Sequence, residues 1–152
     1  KLERIEGELE SIIQTCIDLK MKAVTKDPLD IGNVRIMLNF GHSLGHAIEI
    51  TSYLTHGEAV AVGMTFAIKV SHEINMISEN QAILALNLIK KFGLPQTTSR
   101  IDIKKVREIM KKDKKNIGGK TRLVLLKEIG RALVQESISE EVVDKVLKEV
   151  IV

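Results

Sequence analysis

A chain of 152 residues has room for one domain with a buried core, and its 44% hydrophobic and 28% charged content is ordinary for a soluble globular protein. The 23 basic residues exceed the 20 acidic ones by only +3, and no basic run is interleaved with aromatics, which argues against a nucleic-acid partner. No apolar run approaches the roughly 18 residues of a membrane span and no signal peptide precedes the first helical pattern, so no membrane partner is expected and the lone Cys16 fits a reducing cytoplasm.

With three Phe, one Tyr and no Trp, the core must rest on Leu, Ile, Val, Ala and Met, which suits helix packing. The expected fold is mainly α, a multi-helical domain with at most a small β-hairpin near residues 122–134. The chain opens at Lys1 rather than Met and is in helical pattern at once, which we read as a fragment.

Leu2, Ile5, Leu9, Ile12, Ile13, Cys16 and Ile17 recur at helical spacing, predicting an amphipathic helix over 2–25 with Cys16 in its core-facing stripe. Asp27-Pro28 ends it, because the residue before proline is pushed out of the helical region. After a loop over 30–33, a second helix is expected from Val34 to Thr51. His56-Gly57-Glu58 opens a third, apolar almost all round from Ala59 to Ile74 and therefore central to the core.

Ser78 and Gln81 form a capping box for a fourth helix that stops at Gly93 before Pro95. A fifth, capped by Asp102, runs from Ile103 to Lys114, followed by a turn over 116–120. Arg122 to Leu126 and Arg131 to Val134 pair around Ile129-Gly130 as a hairpin. Ser139 begins a last helix to Val150. The charged cluster Lys111-Lys112-Asp113-Lys114-Lys115 serves equally as a solvated helix end or an anion site.

Three of the four histidines, His42, His46 and His56, fall within fifteen residues. His42 and His46 are four apart, on one helix face, and a tight turn at 53–55 can swing His56 back toward them. Converging neutral imidazoles suit zinc, and a protease motif is excluded because Ser43 stands where that motif needs a glutamate. By itself the pattern leaves two readings open, a metal site or histidines at a helix interface. Gly41 and Gly45 lie beside the histidines inside the expected helix, where each costs about 1 kcal/mol against alanine. Either something approaches the backbone closely, or two helices pack tightly there.

The segment from Arg35 through Leu38-Asn39-Phe40-Gly41-His42-Ser43-Leu44-Gly45-His46-Ala47-Ile48-Glu49, followed by His56-Gly57-Glu58-Ala59-Val60-Ala61-Val62-Gly63-Met64, resembles the signature of the 3-dehydroquinate synthases. Asp113-Lys114-Lys115 and Arg122-Leu123-Val124-Leu125 also resemble runs of that family. The resemblance covers most of the chain.

It implies a C-terminal helical domain over 1–152, without the N-terminal NAD-binding domain. It implies His42 and His56 as zinc ligands, with the family's third ligand, a glutamate, lying upstream of the region that begins here. His46 would be the active-site histidine in a proton-relay role. Arg35, Asn39 and Lys114 would bind the substrate's carboxylate, hydroxyls and phosphate. Lys22, followed by Ala23-Val24, resembles the family's substrate lysine. The interval from Lys22 to Asn39 is one residue shorter than in the family, which leaves Lys20 and Lys26 as alternatives.

Glu49 and Glu58 would orient a histidine or cap a helix rather than ligate. His72 matches nothing in the signature and is expected at the surface or an interface. Without the resemblance, Arg35 and Lys114 read as ordinary surface cations.

The family converts a seven-carbon ketose acid phosphate to 3-dehydroquinate, a phosphate-eliminating carbon–oxygen lyase reaction of the shikimate pathway. It uses zinc or another divalent metal, and NAD bound mainly by the N-terminal domain. No glycine-rich dinucleotide-binding turn occurs in these residues, so the chain by itself is expected to be inactive. The partners implied are the sugar-acid phosphate, the NAD-binding domain and, with the oligomeric state left open, a second copy in a homodimer. Two enzymatic alternatives are a metal-dependent alcohol or glycerol dehydrogenase and a cyclase of another sugar phosphate. The cations at Arg35 and Lys114 favour the synthase over the dehydrogenase, because a neutral alcohol needs no anion clamp. An alternative of another class is a non-catalytic helical domain that binds a metal or a partner.

Overall fold

Residues 7–32, 34–112 and 122–152 are described in a computed structural model of the chain, which divides into two compact units, Lys1–Leu38 and Asn39–Val152. Lys114 and the turn expected over 116–120 lie outside the described residues.

The first unit is built on helix α1, Leu9–Lys26, whose last turn closes with the Asp27 N–H donating to the Ala23 carbonyl. Pro28 then forbids continuation. None of the residues of α1 is buried, and Cys16 is exposed, contrary to its expected place in a core. Periodicity identifies the residues that share a helix face, and carries no information about what covers that face.

After α1 the chain turns about Asp27, a residue only 4% exposed. One carboxylate oxygen accepts from the N–H groups of Ile31 and Gly32, both at 2.9 Å. The other accepts from Val34 and Arg35 at 3.1 and 3.4 Å. The Gly32 N–H, then those of Val34, Arg35 and Ile31, hold this carboxyl below its ordinary value against the opposing effect of burial.

The helix expected over 34–51 is two elements. A single 3₁₀ turn, Arg35–Asn39, comes first; α2, His42–Thr51, follows. The break falls at Gly41, which has φ +80, a left-handed conformation that interrupts a helix and that glycine adopts without strain.

In the second unit, α3 (His56–Glu73) is central, as its apolar composition predicts. It packs against α2, α4 (Glu79–Lys91), α6 (Glu140–Val150) and strand β1 (Arg122–Glu128), while α2 also packs on α5 (Ile103–Lys112). The main core gathers Leu44 and Ile48 of α2, Val62, Phe66 and Val70 of α3, Val106 of α5, and Val143 and Leu147 of α6.

The helix ends follow the sequence closely. Ser78 and Gln81 cap α4 reciprocally, Gly93 has φ +71 just past its end, and Asp102 accepts from Lys104 N at the start of α5.

Strands β1 (Arg122–Glu128) and β2 (Arg131–Glu136) form the expected antiparallel hairpin, two residues longer than predicted, with Val124 opposite Val134 and an irregularity between Leu126 and Glu128. Leu126 N–H donates to Ser71 Oγ at 3.0 Å, fastening β1 to α3. Beyond the hairpin, the strand pairing among the described residues is a single parallel bridge between Thr98 and Ile151. No described helix is long and apolar enough to cross a membrane.

Candidate active site

Two helix starts bring the histidines together. Gly41 is the N-cap of α2, so His42 is its first residue and His46 follows one turn later. His56 is the first residue of α3, whose entry is set by Thr55 and Glu58. The Glu58 carboxylate accepts from Thr55 N at 2.8 Å and from the Thr55 hydroxyl at 2.7 Å. These bonds, the hydroxyl's first, hold the Glu58 carboxyl below its ordinary value. A charged carboxylate at a helix N-terminus is also favoured by the helix dipole. Glu58 is therefore a cap.

The relative placement of α2 and α3 is a matter of main chain. Gly41, Gly45 and Gly63 meet along their contact. A Cβ added at Gly41 would lie 2.7 Å from Met64 N, and one at Gly45 would lie 3.0 Å from Val60 Cα. One at Gly63 would fall on the Gly41 carbonyl oxygen and 2.9 Å from Gly45 N. Of the two explanations open for Gly41 and Gly45, tight helix packing is the one observed. Gly63 carries no polar chemistry and drew no notice in the motif. The signal available for it was a glycine in an apolar helix, four residues from Ala59 and from Ala67.

The three imidazoles then cluster. Ring centres are 5.4 Å apart for His42 and His46, 5.5 Å for His42 and His56, and 6.0 Å for His46 and His56. His42 Nδ1 is 3.2 Å from the Phe40 carbonyl and His56 Nδ1 is 3.0 Å from Glu49 Oε2. A carbonyl and an ionised carboxylate can only accept, so in the neutral ring each of these contacts places the proton on Nδ1 and the lone pair on Nε2. This is the tautomer a metal-ligating histidine takes when its other nitrogen is held by an oxygen.

An imidazole ligating zinc at about 2.0–2.1 Å has its ring centre about 3 Å from the ion, so two rings on one tetrahedral ion stand about 5 Å apart. The His42–His46 and His42–His56 pairs both fit that spacing, and His42 and His56 also carry the oxygen contact at Nδ1. Among the described residues, no group of three or more His, Cys, Asp or Glu side chains is arranged to hold an ion, so the fit is that of a partial ligand set.

The remaining predicted residues are placed as follows. Asn39 is half-buried at the end of the 3₁₀ turn, three residues before His42. Arg35 begins that turn, is half-buried and donates from Nη1 to the Pro28 carbonyl at 3.3 Å. Lys20, Lys22 and Lys26 are exposed on α1. His72 is exposed on α3, as expected. Asp27, read from sequence only as a helix end, proves to organise the whole loop before Arg35. Its signal was an aspartate ahead of a proline and a glycine, a residue type that bonds main-chain N–H groups a few positions on.

Comparison with known proteins bears on the family of the chain as a whole. The family model for the 3-dehydroquinate synthase C-terminal region matches residues 1–116. A 3-dehydroquinate synthase of Dehalococcoides mccartyi is 41% identical over 149 residues, covering 97% of this chain and 41% of that protein. One from Clostridium perfringens is 39% identical over 141 residues, covering 91% of this chain and 40% of its own length. The chain thus spans about two fifths of the curated relatives it matches.

Among solved structures, a 2-deoxy-scyllo-inosose synthase complexed with carbaglucose-6-phosphate, NAD+ and Co2+ superposes with a TM-score of 0.80 at 25% identity. It is covered over 42% of its length, and this chain over 94%. A 2-epi-5-epi-valiolone synthase from Streptomyces hygroscopicus with NAD+ and Zn2+ bound shares the fold, with a TM-score of 0.83 at 18% identity over 95% of this chain and 40% of its own. With its central motif and most of its length matched, the chain belongs to the 3-dehydroquinate synthase C-terminal family.

Proposed function

We propose that this chain is the metal- and substrate-binding part of a 3-dehydroquinate synthase in the cytoplasm, completed by an NAD-binding domain of the same enzyme. The observation that carries the proposal is the convergence of His42, His46 and His56, with Nδ1 of His42 and of His56 each held by an oxygen. The proposed substrate is the seven-carbon ketose acid phosphate. When bound, a divalent metal, zinc in this reading, supplies Lewis acidity toward a substrate hydroxyl and NAD supplies the oxidant.

The residues in hand have separate tasks. His42 and His56 hold the metal, each with its Nε2 lone pair. His46, on the same face of α2 one turn beyond His42, takes and returns the proton of the reacting hydroxyl. Arg35 and Lys114 meet the carboxylate and phosphate, Asn39 the hydroxyls, and one of Lys22, Lys20 and Lys26 adds a further cation.

The dehydrogenase reading is weaker because a neutral alcohol has no use for this cationic set. The other sugar-phosphate cyclases share the fold at 25% and 18% identity, below the 41% shared with a 3-dehydroquinate synthase. Turnover by the full-length protein separates the three. Phosphate release from the seven-carbon acid phosphate with catalytic NAD is expected. Turnover confined to a neutral alcohol, or to a sugar phosphate lacking the carboxylate, would refute the proposal.

Glu49 offers a test that does not depend on turnover. Glu49→Ala should weaken divalent-metal binding about 10- to 100-fold by releasing the His56 ring. Stability should change by no more than about 0.5 kcal/mol, because the carboxylate lies at the surface. Competition against a chromophoric chelator reads the affinity. An unaltered value would remove His56 from the ligand set.

A further inference from the structure

Asp27 is a buried carboxylate with an unusual set of partners. No cation stands within ion-pair distance of it among the described residues; both of its oxygens are occupied by main-chain N–H groups of residues 31, 32, 34 and 35. Arg35 is close by along the chain, yet its guanidinium donates to the Pro28 carbonyl, and no described carboxylate pairs with it. A buried acid beside an arginine would ordinarily neutralise it. Here the negative charge is taken up by amide dipoles, and the arginine keeps its positive charge for another partner.

Both ends of Arg35 are tied to this corner. Its backbone N–H rests on Asp27 Oδ2 and its side chain on the carbonyl of the residue after Asp27. We propose that Asp27 is a positioning residue for Arg35, holding the loop that aims the guanidinium at an anionic group of the substrate. The proposal rests on the reading of Arg35 as a substrate cation, and the chemistry it serves is recognition of a carboxylate or phosphate.

An aspartate is required because both oxygens must accept. Asparagine retains one accepting oxygen and turns its amide N–H₂ toward a second pair of N–H donors. Gly32 belongs to the same arrangement, since a Cβ there would lie 3.3 Å from Asp27 Cγ and 3.3 Å from Oδ1 and crowd the carboxylate.

The test uses the full-length, metal-loaded enzyme and reads KM and kcat separately for Asp27→Ala, Asp27→Asn, Arg35→Ala and the double variant of Asp27→Ala with Arg35→Ala. Asp27→Ala should raise KM about 10- to 100-fold with metal content unchanged, the order of loss expected when a binding group is misplaced by about 1 Å. Asp27→Asn should fall between it and the parent. The double variant should be no worse than Arg35→Ala, because Asp27 acts through Arg35. If Asp27→Ala does not accumulate, Asp27→Asn and Gly32→Ala take its place in the same cycle. A KM unchanged by the Asp27 variants while Arg35→Ala raises it would overturn the proposal, and so would simple additivity of the two losses. If Arg35→Ala itself leaves KM unchanged, the reading of Arg35 fails, and the proposal with it.

Discussion

In the full-length enzyme, His42→Ala and His56→Ala should each abolish stoichiometric divalent metal and lower kcat/KM about a thousandfold or more, the several kcal/mol that a Lewis acid contributes. His46→Ala should behave differently. It should retain the metal, and kcat should fall about 10²- to 10⁴-fold, the usual contribution of a positioned acid or base. The distinction follows from the hydrogen bonds. His42 and His56 each have Nδ1 against an oxygen, a main-chain carbonyl and Glu49 respectively, which in the neutral ring leaves the lone pair on Nε2, the atom proposed to ligate. His46 is exposed, with its ring centre 5.4 Å from that of His42. Metal analysis of the three purified variants beside their kinetics decides the matter. Loss of metal from His46→Ala would make it a ligand, and retention by His42→Ala would remove that residue from the site.

Gly63→Ala should be the most damaging glycine-to-alanine change among the described residues. Its new methyl group would overlap the Gly41 carbonyl and press on Gly45 N, both main-chain atoms that no rotamer change can move. Overpacking of ordinary side chains costs about 1–3 kcal/mol, and a contact between two backbones should exceed that range. Because His42 leads α2 and His56 leads α3, separating these helices also separates the two proposed ligands. Metal affinity and stability should therefore fall together.

Gly57→Ala supplies the control on the same helix. A Cβ there meets nothing within 4 Å, and Gly57 has no left-handed φ. That variant should be neutral or stabilised by up to about 1 kcal/mol. Chemical denaturation and metal titration of both variants check the contrast. A Gly63→Ala protein with parental stability and metal binding would show that the seam can open without cost.

Much of this was legible in the order of residues. Helix-period patterns and the cap at Ser78 located α4, and the apolar run from Ala59 marked α3 as the centre. The turn at Ile129-Gly130 located the hairpin. The interval between His42 and His46 put two imidazoles on one face, and the short connection after Thr51 brought the third. The break between the 3₁₀ turn and α2 was not legible, because a glycine inside an apolar pattern reads alike whether it continues a helix or reverses its handedness at φ +80. The exposure of the α1 stripe was hidden for a related reason. Amphipathicity is a property of one segment, whereas burial depends on another. Asp27 was concealed by its own local role: a helix-ending residue needs no further explanation until the four N–H groups it accepts are seen in space.

The glycine seam has a consequence for how such a protein can diversify. The spacing of His42 from His56 is set by contact between two stretches of main chain, and main chain does not drift by substitution. Each of the three glycines should resist replacement, and the distance between the two helices is left to main chain, with side chains such as Glu49 needed only to orient a ring. Residues beside the imidazoles can then be exchanged one at a time without disturbing the spacing of the two helices that carry them.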